Sequence, residues 1–113
     1  MTMKIAKRTK NGVTILDLKG KILIGDGIDE LREEINNAIK EKVTKLLLNF
    51  KDVPYLDSTG LGEVVRSYTS IKNSGGVVKI VHLTTKVRDL LSVTKLITVF
   101  ETFEDEDKAT ASF

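Results

Sequence analysis

The chain contains no cysteine and no tryptophan, one proline (Pro54) and one histidine (His82) among 113 residues. Without cysteine there is no disulfide framework and no thiolate chemistry. With His82 as the only imidazole, zinc and non-haem iron lack their usual ligands. Charge of one sign is also missing: 18 basic against 16 acidic residues give a formal charge of +2. Nucleic acid normally demands a basic stripe, and the two tyrosines and four phenylalanines are not interleaved with cations as a base-stacking platform requires. No run of about 18 apolar residues occurs, so no membrane span is expected. The opening "MTMKIAKRTK" lacks the apolar core of a signal peptide. A cytoplasmic protein without nucleic-acid or membrane partners is the expectation.

What is present is ordinary globular material, 41% apolar and 30% charged, of a length that fits a single domain over residues 1–113. Asn11-Gly12 predicts a tight hairpin turn, because both positions tolerate positive φ. Val13, Ile15, Leu16 and Leu18 continue as a half-buried strand. Ile22 to Ile24 reads equally as a short strand or an extended connection. From about Gly27 to Glu41 the period changes: Ile28, Leu31, Ile35, Ala38 and Ile39 fall on one helical stripe, with Asp26 as the expected cap. "KLLLNF", Lys45 to Phe50, is a continuous apolar run of the kind found in strands covered on both faces.

A second helix is expected from about Ser58 to Asn73, with Leu61, Val64, Val65, Tyr68 and Ile71 inward and Gly75-Gly76 closing it. "VVKIVHL" (Val77 to Leu83) reads as a strand. Thr84 or Thr85 caps a third helix through about Val93, with Val87, Leu90 and Leu91 inward. "ITVF" (Ile97 to Phe100) reads as a last strand, and "EDEDKATASF" as a short helix with an acidic head. The expected fold class is therefore α/β: one mixed sheet of four to five strands with about four helices packed on it.

Candidates for chemistry are few. His82 lies in an apolar strand and reads as a structural imidazole held by hydrogen bonds. Glu30, Glu33, Glu34 and the 104–107 acidic cluster read as solvated helix faces and first turns. Asp52 and Asp57 form only a weak magnesium pair. Neither G-x-x-x-x-G-K-[ST] nor G-x-G-x-x-G occurs, so no phosphate cradle or cofactor is indicated. Ser58 as a nucleophile would need a base and oxyanion donors, which makes an enzyme improbable.

The segment "YLDSTGLGEV", Tyr55 to Val64, remains. Asp57 or Ser58 can cap the following helix, yet Gly60 and Gly62 each cost it roughly 1 kcal/mol relative to alanine. One reading is that Ser58 and Thr59 merely cap, the glycines avoiding a clash with a neighbouring strand. The other is that the small residues clear space for a protein to reach and phosphorylate Ser58. A phosphoryl group there would bring about −1.5 to −2 charges, tolerated by the positive helix end but costly against a packed partner.

"NFKDVPYLDSTGLGEVVRSYTSIKNSGG" resembles the central segment of STAS domains, the family of bacterial anti-sigma-factor antagonists. The family pattern is a buried strand, an Asp-Ser-(Ser/Thr/Ala)-Gly-(Leu/Ile)-Gly loop, and a helix ending in glycines. "VVKIVHLTTKVRDLLSVTKLITVFETFEDEDKA" is similar to the family's closing strand-helix-strand-helix, so the likeness spans essentially the whole chain.

The resemblance implies a partner-switching module that binds an anti-sigma factor, itself a serine kinase, when unphosphorylated. It implies Ser58 as phosphoacceptor, Thr59 as the lesser candidate, and a metal-dependent serine phosphatase that reverses the modification. The implied partner-binding surface is Asp57, Ser58, Thr59, Gly60, Leu61 and Gly62, joined by Asp26 of "KGKILIGDGIDEL". That connection is longer and richer in glycine than the family's usual one, which bears on partner identity. Scaffold or transport-complex subunits without phosphorylation, and a small hydrolase using Ser58, are the alternatives. A stand-alone chain without a sensor domain favours the simple antagonist.

Overall fold

Asn11 and Gly12 both take positive φ, 53° and 77°, and close a hairpin between β1 (Lys4–Lys10) and β2 (Val13–Lys19). The computed structural model describes residues 3–113. After the hairpin the chain alternates: α1 (Ile28–Lys40), β3 (Lys45–Asp52), α2 (Ser58–Asn73), β4 (Val77–Val81), α3 (Thr85–Val93), β5 (Thr102–Phe103) and α4 (Glu106–Ala111). The sheet runs β1-β2-β3-β4-β5, with β1 antiparallel to β2 and every other pair parallel. It is the mixed α/β architecture that the alternation of periods predicts.

Strand alternation decides which face each residue serves. Leu46, Leu48 and Phe50 join Leu16, Leu18 and Ile80 in the main core, under Leu31 and Ile35 of α1, Val64 and Ile71 of α2, and Val87 and Leu91 of α3. Leu47 points the other way, into a smaller cluster with Val13, Ile15, Val81 and Ala109 of α4. Both faces of β3 are thus covered, which is why its sequence is unbroken Leu-Leu-Leu. Each of these fully buried aliphatics contributes about 1.5–3 kcal/mol over an exposed one.

Three expectations change. The "ITVF" segment is not a strand. Lys95 adopts φ 63°, Leu96–Thr98 forms a 3₁₀ turn, and the last strand is the two-residue β5 further on. Asp26 is not the cap of α1. Gly27 occupies that position at φ 93°, and its N–H donates to Glu30 Oε1 at 3.1 Å. The 104–107 acids are not all solvated: Glu106 accepts from Arg8 Nη1 at 3.0 Å and Lys10 Nζ at 3.2 Å, and also pairs with Arg8 Nη2. This pairing ties α4 to the outermost strand and holds the Glu106 carboxyl down at about 2, through Arg8 first and then Lys10.

Candidate functional site

Pro54 follows the end of β3, and from there the chain runs parallel to the connection after β2. Gly20 N–H donates to Asp52 O at 3.0 Å and Ile22 N–H to Tyr55 O at 3.2 Å. Asp57 N–H then returns a bond to Ile22 O at 3.3 Å. Ile22 is therefore neither a free strand nor a loop residue but an isolated bridge to Leu56. Beyond it, Leu23 and Asp26 exchange backbone bonds of 2.7 and 2.9 Å, folding the "IGDG" segment into a tight strap.

Asp57 is the N-cap of α2, and its two carboxylate oxygens serve both elements. Oδ1 accepts from Gly60 N–H at 2.7 Å, and Oδ2 accepts from Ile24 N–H at 3.0 Å. Hydrogen bonds from the Ile24 and Gly60 amides hold its carboxyl below the usual aspartate range, so it stays ionised. One side chain thus caps the helix and pins the strap to its entrance.

The first residues of α2 divide by function. Ser58 and Thr59 are exposed, and among the described residues neither hydroxyl has a hydrogen-bond partner. Gly60 is buried, and a Cβ built on it would lie 1.9 Å from Ile22 O. Gly62 is exposed with nothing within 4 Å of such a Cβ. The two glycines therefore answer different demands: Gly60 permits the strap to pass, whereas nothing inside the chain requires Gly62. Leu61 is 8% exposed and belongs to the main core. Asp26, half-buried in the strap, lies one residue before the glycine cap of α1.

Three features escaped the sequence reading. Ile24 is 74% and Tyr55 45% exposed; Tyr55 stands two residues before Asp57, and Ile24 is brought to it by the bond from its N–H to Asp57 Oδ2. Glu63 is 3% exposed, and its Oε1 accepts from Arg32 Nε at 3.1 Å and Nη2 at 2.7 Å across the α1–α2 contact. Ser67 is fully buried, its hydroxyl donating to Glu63 O at 2.8 Å. The signal was present as spacing: Gly60, Glu63, Val64, Ser67 and Ile71 recur at helical intervals, with polar residues standing where apolar ones are sought.

His82 does not lie within β4 but just past it, at φ 61°, its N–H donating to Phe103 O at 2.9 Å. Among the described residues its imidazole has no hydrogen-bond partner, contrary to the expectation of a satisfied one. No group of three metal-binding side chains occurs among the described residues, Asp52 and Asp57 included. No described helix is long and apolar enough to cross a membrane.

Residues 4–109 match the family model for the STAS domain. The chain belongs to the STAS family. A curated relative of this STAS domain, the anti-sigma F factor antagonist of Paenibacillus polymyxa, is 26% identical over 96% of this chain and 93% of the relative. Among solved structures, an anti-sigma factor antagonist from Mycobacterium paratuberculosis superposes with TM-score 0.82 at 19% identity, covering 98% and 93% of the two chains. The Bacillus cell fate determinant SpoIIAA in its phosphorylated form superposes with TM-score 0.73 at 18% identity, covering 96% and 98%. At these identities the structural likenesses establish the fold of the STAS domain.

Proposed function

We infer that this STAS domain is an anti-sigma-factor antagonist acting in the cytoplasm as a binding protein rather than an enzyme. Unphosphorylated, it binds an anti-sigma factor that is also a serine kinase. Phosphorylation of Ser58 by that kinase releases it, and a metal-dependent serine phosphatase restores binding. The observation that carries this reading is the Ser58 hydroxyl: exposed, without a hydrogen-bond partner among the described residues, and placed at the first residue of a 16-residue helix. The name of the Paenibacillus relative supports the class of partner. The phosphorylated SpoIIAA structure supports compatibility of this fold with the modification.

The physics of release follows from the site. A phosphoryl group on Ser58 would add about −1.5 to −2 charges beside an Asp57 already held as an anion. The free domain accommodates the charge, because the helix dipole is positive there and solvent is at hand. A partner packed over Ser58 would strip that solvent and lose several kcal/mol of affinity (about 2–5) for an unpaired buried charge. Among the described residues no base is hydrogen-bonded to Ser58, which supports a binding role over a hydrolytic one. Binding to the cognate kinase tests the reading: Ser58→Asp should weaken it strongly and Ser58→Ala should not. Equal affinities for the two variants, together with an unmodified Ser58 in the cell, would overturn it.

A further inference from the structure

Glu63 carries a charge into the contact between α1 and α2, on the buried side of α2 with Gly60, Val64, Ser67 and Ile71. Its Oε1 accepts twice from Arg32. Its Oε2 is buried without a hydrogen-bond partner among the described residues and lies 3.8 Å from Arg66 Nε, within reach of charge but not of a hydrogen bond. A buried ion pair adds little stability over apolar groups of similar volume, so stability does not account for this carboxylate. What it does is hold one guanidinium fixed, and a second close by, at the surface.

Both guanidiniums border the open face of α2. Ser58, Gly62 and Arg66 recur every four residues and share one side of the helix, with Arg66 about 12 Å along the axis from Ser58. Gly62, between them, is exposed with nothing within 4 Å of an added Cβ, which leaves room for another chain to lie close. Arg32 is exposed and uses Nε and Nη2 on Glu63, so its Nη1 is left for an outside acceptor. Arg66 makes only long bonds, Nη1 to Ser70 Oγ at 3.3 Å and Nη2 to Asn36 Oδ1 at 3.5 Å, which exchange readily. Two cations around one buried anion leave a positive charge facing out, and Asp29 is a weaker, purely Coulombic neighbour of Arg32.

We propose, on the basis of the antagonist reading, that Arg32 and Arg66 select the partner. A carboxylate of the anti-sigma factor, on a segment lying over Gly62, pairs with both guanidiniums, and Glu63 is the positioning residue that presents them. One carboxylate matches the one uncompensated charge, whereas a doubly charged phosphate would exceed it. A guanidinium already held in place loses less freedom on binding than a loose one, and arginines are enriched among the residues that dominate interface energy.

Calorimetric titration with the cognate anti-sigma factor, defined as the one that binds the unmodified chain and not Ser58→Asp, tests it at about 0.05 M and about 0.3 M salt. Arg66→Gln and the paired replacement Arg32→Gln/Glu63→Met, which strands no buried charge, should each weaken binding at least about tenfold and flatten its salt dependence. Glu63→Met alone should weaken binding severalfold with the thermal midpoint unchanged, a separation that a merely structural residue would not show. Lys45→Gln/Lys108→Gln, on the α4 side of the sheet, should bind as the parent does. Binding lost in Arg66→Glu should return when one acid of the partner, found by scanning its Asp and Glu residues, is changed to lysine. A chain that binds and is released by Ser58→Asp, yet keeps its affinity in the arginine variants or loses as much in the Lys45/Lys108 control, would overturn the role of the arginines alone. A chain that binds no anti-sigma factor would overturn the antagonist reading and this role with it.

Discussion

The carbonyl oxygen of Ile22 lies 1.9 Å from where a Cβ on Gly60 would sit, so the strap and the first turn of α2 touch backbone to backbone. Gly60→Ala should therefore force the two elements apart and cost roughly 1–3 kcal/mol, the range for overpacking a tight contact. Gly62→Ala meets open space and should stabilise α2 by about 1 kcal/mol through helix propensity. Urea midpoints moving in opposite directions for the two variants would check the pair. If a partner packs on this helix, Gly62→Ala should also weaken that complex while stabilising the free domain.

Asp57 does two jobs that substitution separates. Asp57→Ala removes the helix cap and the acceptor for Ile24 N–H, at an expected cost of about 1 kcal/mol. Asp57→Asn keeps an oxygen for one of these amides and should fall between the variant and the parent. Hydrogen exchange is the discriminating measurement, because the Ile24 amide should lose protection in Asp57→Ala before the rest of the strap does.

The element order was legible because period and punctuation agreed. The start of α2 followed from Asp57-Ser58, its end from Gly75-Gly76, and the double burial of β3 from an apolar run with no alternation. The errors arose where backbone geometry overrode composition. Ile97 to Phe100 has strong strand propensity, but the left-handed Lys95 before it sets a 3₁₀ turn instead. Asp26 has the right chemistry for a cap, yet the left-handed turn falls on Gly27 and the capping acceptor is Glu30, from inside the helix. At the site, the exposure of Ser58 agreed with a loop rich in small residues. The distinct duties of Gly60 and Gly62 depend on Ile22, a residue 38 positions away from Gly60 that no local pattern can bring there.

Glu63 and Arg32 should respond unequally to substitution. Arg32→Ala leaves a 3%-exposed carboxylate whose Oε2 already has no hydrogen-bond partner, with Arg66 Nε 3.8 Å away as its nearest remaining cation. Stranding a buried charge in this way costs up to about 3–5 kcal/mol. Glu63→Met, by contrast, leaves Arg32 free to turn into water and replaces the carboxylate with an apolar group of similar volume. It should be nearly neutral. Thermal unfolding of the two variants, with Glu63→Met the more stable, checks the order.

Acid should loosen α4 first. The Glu106 carboxyl is held at about 2 in the folded protein, well under the value of about 4.3 of an unfolded chain. The stabilisation it brings is therefore complete above about pH 4.3 and disappears as pH falls toward 2. Because the pairs are partly open to solvent, the effect should be modest, about 1 kcal/mol or less. Methyl resonances of Ala109 followed from pH 6 down to about 2 should report the detachment, and Glu106→Gln should remove most of that dependence.

The two margins of the sheet limit how other proteins can attach. One margin is β1, "KIAKRTK", with four cations in seven residues. The other, β5, is two residues long. Charge and brevity are the devices by which native sheets discourage an incoming chain from zipping on as an extra strand. Visitors to this domain are left to read contours and side chains, where a single substituent can veto the match.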